Sequence, residues 1–219
     1  MRMTRKVSCA CAIGLFGLVA ACSDPVAPAS QAAVSIYLTT SVNAMAGVSC
    51  PASPHWVNVP FAKGGGQQVF AHTKNATAID NQDQMSVSCT VKDNGGPFEV
   101  NATLKSPATD PVTGMPVNPT NVTLQTTITA GQSATGTVTV LDNTTATTYS
   151  SADAMSGAAA PTCMFSVVPP ATASDPPNVA AGRIWASVNC PSFRDPGSSN
   201  LKETCSITNG YIVLENCGQ

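Results

Sequence analysis

The sequence predicts an all-β protein: an antiparallel β-sandwich of about ten short strands, with long loops and three disulfides. Three observations carry this. Apolar and polar residues alternate with period two over many short stretches. Gly, Asn, Asp and Pro clusters separate those stretches at short intervals, and no βαβ rhythm or amphipathic helical period appears. Six cysteines, an even number, are spread through the region that carries the strands.

In chain order, the first element is not part of the fold. Arg2, Arg5 and Lys6 form a basic head, and an apolar run of fifteen residues, 7–21, follows. It ends in Val19-Ala20-Ala21-Cys22, with Ser23 and Asp24 behind it. A charged head, a short apolar run and small residues before a cleavage point are the order of an export signal. A membrane-spanning helix needs about twenty apolar residues, so the run is short for an anchor. The Val-Ala-Ala-Cys stretch resembles the lipobox of bacterial lipoproteins. That resemblance covers the leader alone. It implies removal of residues 1–21, acylation of Cys22 and attachment to a lipid bilayer. Several acyl chains hold a protein stably where one is marginal. Ser23 after the cysteine resembles the sorting signal for the outer membrane.

Residues 22–33 carry two prolines and no apolar period, and are expected to form a lipidated cysteine followed by a flexible tether. One domain is expected over 34–219. Its first strand shows in Val34, Ile36 and Leu38, and further strands are expected at 67–73 and around Val87, Cys89 and Val91. Phe98, Val100, Ala102 and Leu104 form the next, and Asp93-Asn94-Gly95-Gly96-Pro97 should make the two a hairpin. A second hairpin turns at Ala130-Gly131-Gln132, between Val122-to-Ile128 and a strand whose Val138 and Val140 share a face. Strands are expected at 163–168, 182–190 and 204–216. Asn209-Gly210 is a strong turn signal and should split the last into a hairpin. Segments 106–120, 142–161 and 169–181 read as long loops.

Cys50, Cys89, Cys163, Cys190, Cys205 and Cys217 read as three disulfides in an exported chain, with fifteen possible pairings. An Asn209-Gly210 hairpin would leave Cys205 and Cys217 three positions out of register, about 10 Å apart. This exceeds the roughly 7 Å reach of a bridge. The favoured set is therefore Cys50–Cys89, Cys190–Cys205 and Cys163–Cys217. The sequential set, with Cys163–Cys190 and Cys205–Cys217, is the second choice.

After the leader is removed, seven basic and twelve acidic residues remain, a net charge of −5. That argues against a nucleic-acid partner and against a polybasic grip on lipid. No nucleophile elbow, zinc-helix, phosphate-loop or dinucleotide motif is present. The two histidines, His55 and His72, stand in no metal-ligand spacing, so no metal, cofactor or catalytic residue is expected. Lys63-Gly64-Gly65-Gly66 reads as a turn, and Asp80-Asn81-Gln82-Asp83 lacks the distant acid of a calcium loop. Trp56, Trp185 and Tyr211 are the candidate binding residues, as a platform for sugar rings or as core aromatics. The expected function is a non-enzymatic envelope lipoprotein, a structural or interaction module whose partner is an envelope protein or a glycan. A tethered carbohydrate-binding module is the alternative, and a hydrolase with an unrecognised site is the least favoured reading.

Overall fold

A computed structural model of the 219-residue chain describes residues 30–40, 50, 54–59, 73–74, 86–106, 119–151, 163–170, 178–196 and 204–219. The leader, Cys22, His72, the 63–66 and 80–83 segments and most of the expected 67–73 strand lie outside the described residues.

The described residues form twelve strands: β1 (Gln31–Thr40), β2 (His55–Val59), β3 (Thr73–Lys74), β4 (Ser86–Asp93), β5 (Pro97–Lys105), β6 (Asn121–Thr129), β7 (Ser133–Asp142), β8 (Thr147–Ser150), β9 (Cys163–Val167), β10 (Val179–Ala180), β11 (Arg183–Arg194) and β12 (Thr204–Glu215). The all-β antiparallel expectation holds. β1 begins at Gln31, three residues inside the segment expected to be tether.

Hydrogen bonding runs in the order β2-β1-β12-β11-β8-β7-β6-β5-β4. β9 also lies between β7 and β11, pairing Ser133–Gly136 on one side and Ala186–Asn189 on the other. β8 pairs the next stretch of β7, from Thr139 to Asp142, and touches β11 at Arg194. β8 and β9 are thus two pieces of one strand position, and together they form the corner where the sheet rolls over. Layer one is β2-β1-β12-β11, and layer two is β7-β6-β5-β4.

The far edge of each layer meets the strand ends of the other. On β4, Val91 donates to the Gly218 carbonyl and accepts from Gly182 at 2.9 and 2.8 Å. On β2, His55 reaches Asp142 at the end of β7. Edges meeting strand ends is the pattern of layers packed with crossed strands.

Period-two alternation builds the core between the layers. Val34, Ile36 and Leu38 point in from β1, Val87, Cys89 and Val91 from β4, and Val138 and Val140 from β7; all are buried in one cluster. The cluster is rich in Val, Ile and Leu, with Phe165, Phe193 and Tyr149 its largest rings. The β4–β5 turn forms as expected. Asp93 Oδ1 accepts from the Gly95 and Gly96 amides at 2.9 and 3.1 Å, and both glycines take positive φ.

The expected Asn209-Gly210 hairpin is corrected: β12 runs straight through it. Gly210 pairs with Ile36 on one side and Val188 on the other, and lacks a positive φ. Its glycine serves close packing, because a Cβ there would stand 2.2 Å from Val188 Cγ1. A turn signal is local, and two flanking strands override it. The bonding skips Thr208 as a bulge, with Tyr37 opposite Asn209 and Leu38 opposite Ile207.

The disulfides are Cys50–Cys205, Cys89–Cys217 and Cys163–Cys190. All three favoured pairings are therefore corrected. Of the second set, Cys163–Cys190 is present and Cys205–Cys217 is not. The cause is the unbroken β12. Cys205 sits near its start beside Thr40, and Cys217 lies past its end, bonded across to β4. Two expected loops also contain strand, since β8 lies within 142–161 and β10 within 169–181.

Candidate functional site

The outward side of layer one gathers the candidate aromatics. Strand alternation sets this: Ile184, Ala186 and Val188 of β11 point into the core, so Trp185, Ser187 and Asn189 point out. The register carries the same facing across the sheet. Ser187 pairs with Tyr211 of β12, Tyr211 with Ser35 of β1, and Tyr37 with Trp56 of β2. One ring from each of four neighbouring strands thus lies on a diagonal, in the order Trp185, Tyr211, Tyr37, Trp56. All four are half-buried. The Tyr37 and Trp56 ring centroids are 5.1 Å apart at 44°. Trp56, Trp185 and Tyr211 were legible as candidates; Tyr37 was not, because its place beside Trp56 is a cross-strand pairing.

Each end of the diagonal is held differently. Trp185 Nε1 donates to Glu215 Oε1 at 3.0 Å, and the Arg183 guanidinium stands 5.5 Å from its ring centre. Arg183 Nη2 also donates to Asn178 Oδ1 at 3.2 Å. These contacts fix the Trp185 ring between two side chains of opposite charge. At the other end Asn58 Oδ1 accepts from the Ser35 hydroxyl at 2.6 Å. Asn209 of β12 and Asn189 of β11 are exposed, and Asn189 Nδ2 donates to the Thr208 carbonyl at 3.4 Å. The short outward side chains Ala33, Ser35 and Val213 are buried among these groups. Among the described side chains, the accessible part of the face is made of rings, amides and hydroxyls, with Arg183 and Glu215 at the Trp185 end.

His55 and Asp142 form a second polar site, at the mouth between the layers. His55 Nε2 lies 3.2 Å from Asp142 Oδ2, and the carboxylate is wholly buried. Thr144 N–H and the Thr145 hydroxyl donate to Asp142 at 3.0 and 2.8 Å. Burial by itself would raise the carboxyl pKa. The His55 imidazole and these two donors outweigh burial and hold it below the ordinary carboxylate value. Burial pushes the nearby Tyr149 hydroxyl up. No motif in the sequence marks Asp142. Its signal was its place in the inward series Val138, Val140, Asp142, followed by an Asn-Thr-Thr turn.

Two clefts flank the β6–β7 turn. One, of about 650 Å3, is an open trough with Gln125, Thr127 and Thr137 among its lining. The other, of about 530 Å3, has Val167, Val168, Pro169 and Val179 in its wall. Among the described residues no group of three or more His, Cys, Asp or Glu is placed to hold a metal ion. Comparison with protein families, with curated proteins and with solved structures returns no match.

Proposed function

We propose that this chain is an exported, lipid-anchored binding protein of the cell envelope, with no chemistry of its own. The aromatic diagonal on the outer face of layer one carries the reading. Four rings outside a core that already has its own aromatics are a large apolar investment on a surface, and Trp and Tyr are the residues most used as binding anchors. The leader and the lipobox-like cysteine support export and anchoring through Cys22 to a bilayer, with the outer membrane as destination. Three disulfides belong with an oxidising compartment.

The His55–Asp142 pair has catalytic residue types but fits a latch better. Asp142 is already satisfied by two threonine donors, and the pair joins the edge of one layer to the other.

Two experiments test the proposal. Cys22→Ala should leave an unprocessed precursor or a released protein, and only the wild type should take up a fatty-acid analogue. Mature wild-type protein without label would remove the anchor from the reading. A photo-crosslinking residue at Asn209, on the aromatic face, should capture an envelope component, whereas one at Lys105, on layer two, should not. Equal capture from both positions, or capture from neither, counts against a dedicated binding face. Loss of an activity in a folded His55→Ala variant would overturn the non-enzymatic reading.

A further inference from the structure

We infer that the outer face of layer one takes an uncharged polysaccharide, laid along the diagonal from Trp185 through Tyr211 and Tyr37 to Trp56. This rests on the reading of the chain as a binding protein and supplies the class of ligand.

The first argument is charge. Among the described side chains on the outward positions of β2, β1, β12 and β11, the charged residues are Glu215, Arg183 and Arg194. Glu215 and Arg183 hold Trp185 between them, and Arg194 is buried at the opposite end of β11, beside β8. The rest of the face is Tyr, Trp, Asn, Ser, Thr and small apolar residues. Among the described side chains along the diagonal, the one cation a polyanion meets is Arg183, which already lies against Trp185 and Asn178. A neutral chain needs no cation.

The second argument is shape. The rings do not form a compact cluster, as the centre of a protein–protein interface does. They step one strand at a time, with two steps along the strands. Strand spacing of about 4.8 Å and a same-face repeat of about 6.6 Å give a line of roughly 20 Å. That suits an extended chain, not one small molecule or a globular partner.

The third argument is chemical pairing. A sugar ring has a C–H face and a hydroxyl rim. The C–H face packs on an aromatic face, and Tyr and Trp offer that surface with a polar tip. The rim needs donors and acceptors side by side, which an amide supplies in one group. Asn209 and Asn189 lie beside the diagonal in the row that contains Tyr37 and Trp56. Fixing of Trp185 by Glu215 and Arg183, and of Trp56 by Tyr37, lowers the cost of ordering the rings on binding.

The chain has two tryptophans, and both stand on this face. Intrinsic fluorescence of the mature protein therefore reports on it directly. The probes are soluble neutral β-glucan, xylan, mannan and galactan, with a polyuronate as the charged control. At least one neutral polysaccharide should shift the emission and retard the protein in affinity electrophoresis, and the polyuronate should do neither. Trp56→Ala should weaken binding about ten-fold or more, and Asn209→Ala several-fold, with the denaturation midpoint of Asn209→Ala unchanged. Trp185→Phe leaves Trp56 as sole reporter and should still respond. Response to none of the four neutral polymers, response to the polyuronate alone, or undiminished binding in both Trp56→Ala and Asn209→Ala overturns the glycan assignment. If those fail while crosslinking from position 209 still captures an envelope protein, the binding-protein reading stands and the ligand class alone falls.

Discussion

Asp142 shows how one residue ties pH to stability. Its carboxyl is held below the ordinary value in the fold. The folded state therefore prefers the ionised form more than the unfolded chain does. The resulting stability is present above the unfolded pKa of about 4 and fades as pH falls through the folded value. Denaturant melts between pH 7 and pH 2 should show a steep acid loss in wild type and a shallower one in Asp142→Asn. At neutral pH, Asp142→Ala should cost about 2–3 kcal/mol, since it strips the threonine donors and His55 of their acceptor. An unchanged acid slope in Asp142→Asn would show that another carboxyl sets it. Gly210 makes a second residue-scale point. A methyl group there meets Val188 Cγ1 at 2.2 Å and the Val188 carbonyl at 2.9 Å. Gly210→Ala should lower stability by about 1–3 kcal/mol. Val188→Ala in the same background should return part of that loss if the clash is the cause, and calorimetry on the three variants separates the terms.

Among the elements, β4 depends most on a distant segment. It pairs with β5 along one edge, and on its other edge the residues after β12 supply the bonds. Gly218 N–H donates to the Cys89 carbonyl at 3.0 Å, and Cys89–Cys217 locks the same place. The paired substitution Cys89→Ser with Cys217→Ser should cost about 2–4 kcal/mol. Amide exchange should show where: Val91 and Gly218 should lose protection first, while Val122 and Leu124 of the central β6 keep theirs. Uniform loss of protection would mean that the bridge supports the whole core, not one edge. The split position shared by β8 and β9 is the other element-scale feature. It lets one corner serve both layers, and Cys163–Cys190 ties β9 to β11 there.

For the whole molecule, three bridges join segments that are far apart in sequence, with separations of 155, 128 and 27 residues. Non-reducing peptide mapping of the mature protein should find these three links. Alkylation under denaturing, non-reducing conditions should modify none of the six cysteines. A mapped Cys190–Cys205 or Cys205–Cys217 link would contradict the straight path of β12. The placement of β1 also bears on how the domain stands at a membrane. If Cys22 carries lipid, eight residues separate it from Gln31, and the nine Cα steps reach about 30 Å when extended. The Trp185 end of the diagonal lies toward that start of β1, and the Trp56 end lies farther along it.

The sequence alone determined what depends on neighbours along the chain. Period-two alternation named the buried residues of β1, β4, β5, β6 and β7, because a strand exposes successive side chains to opposite faces. Turn residues located the β4–β5 and β6–β7 hairpins, because positive φ is a local requirement that few residues meet. Tertiary structure decided everything that depends on which strands lie side by side. It turned Asn209-Gly210 from a hairpin into mid-strand, and that reversed the disulfide assignment. It set Tyr37 beside Trp56, brought Asp142 under His55, and drew the aromatics named singly in the sequence into one line. Pairing partners are chosen by burial summed over whole layers, and no local signal in the chain carries that sum.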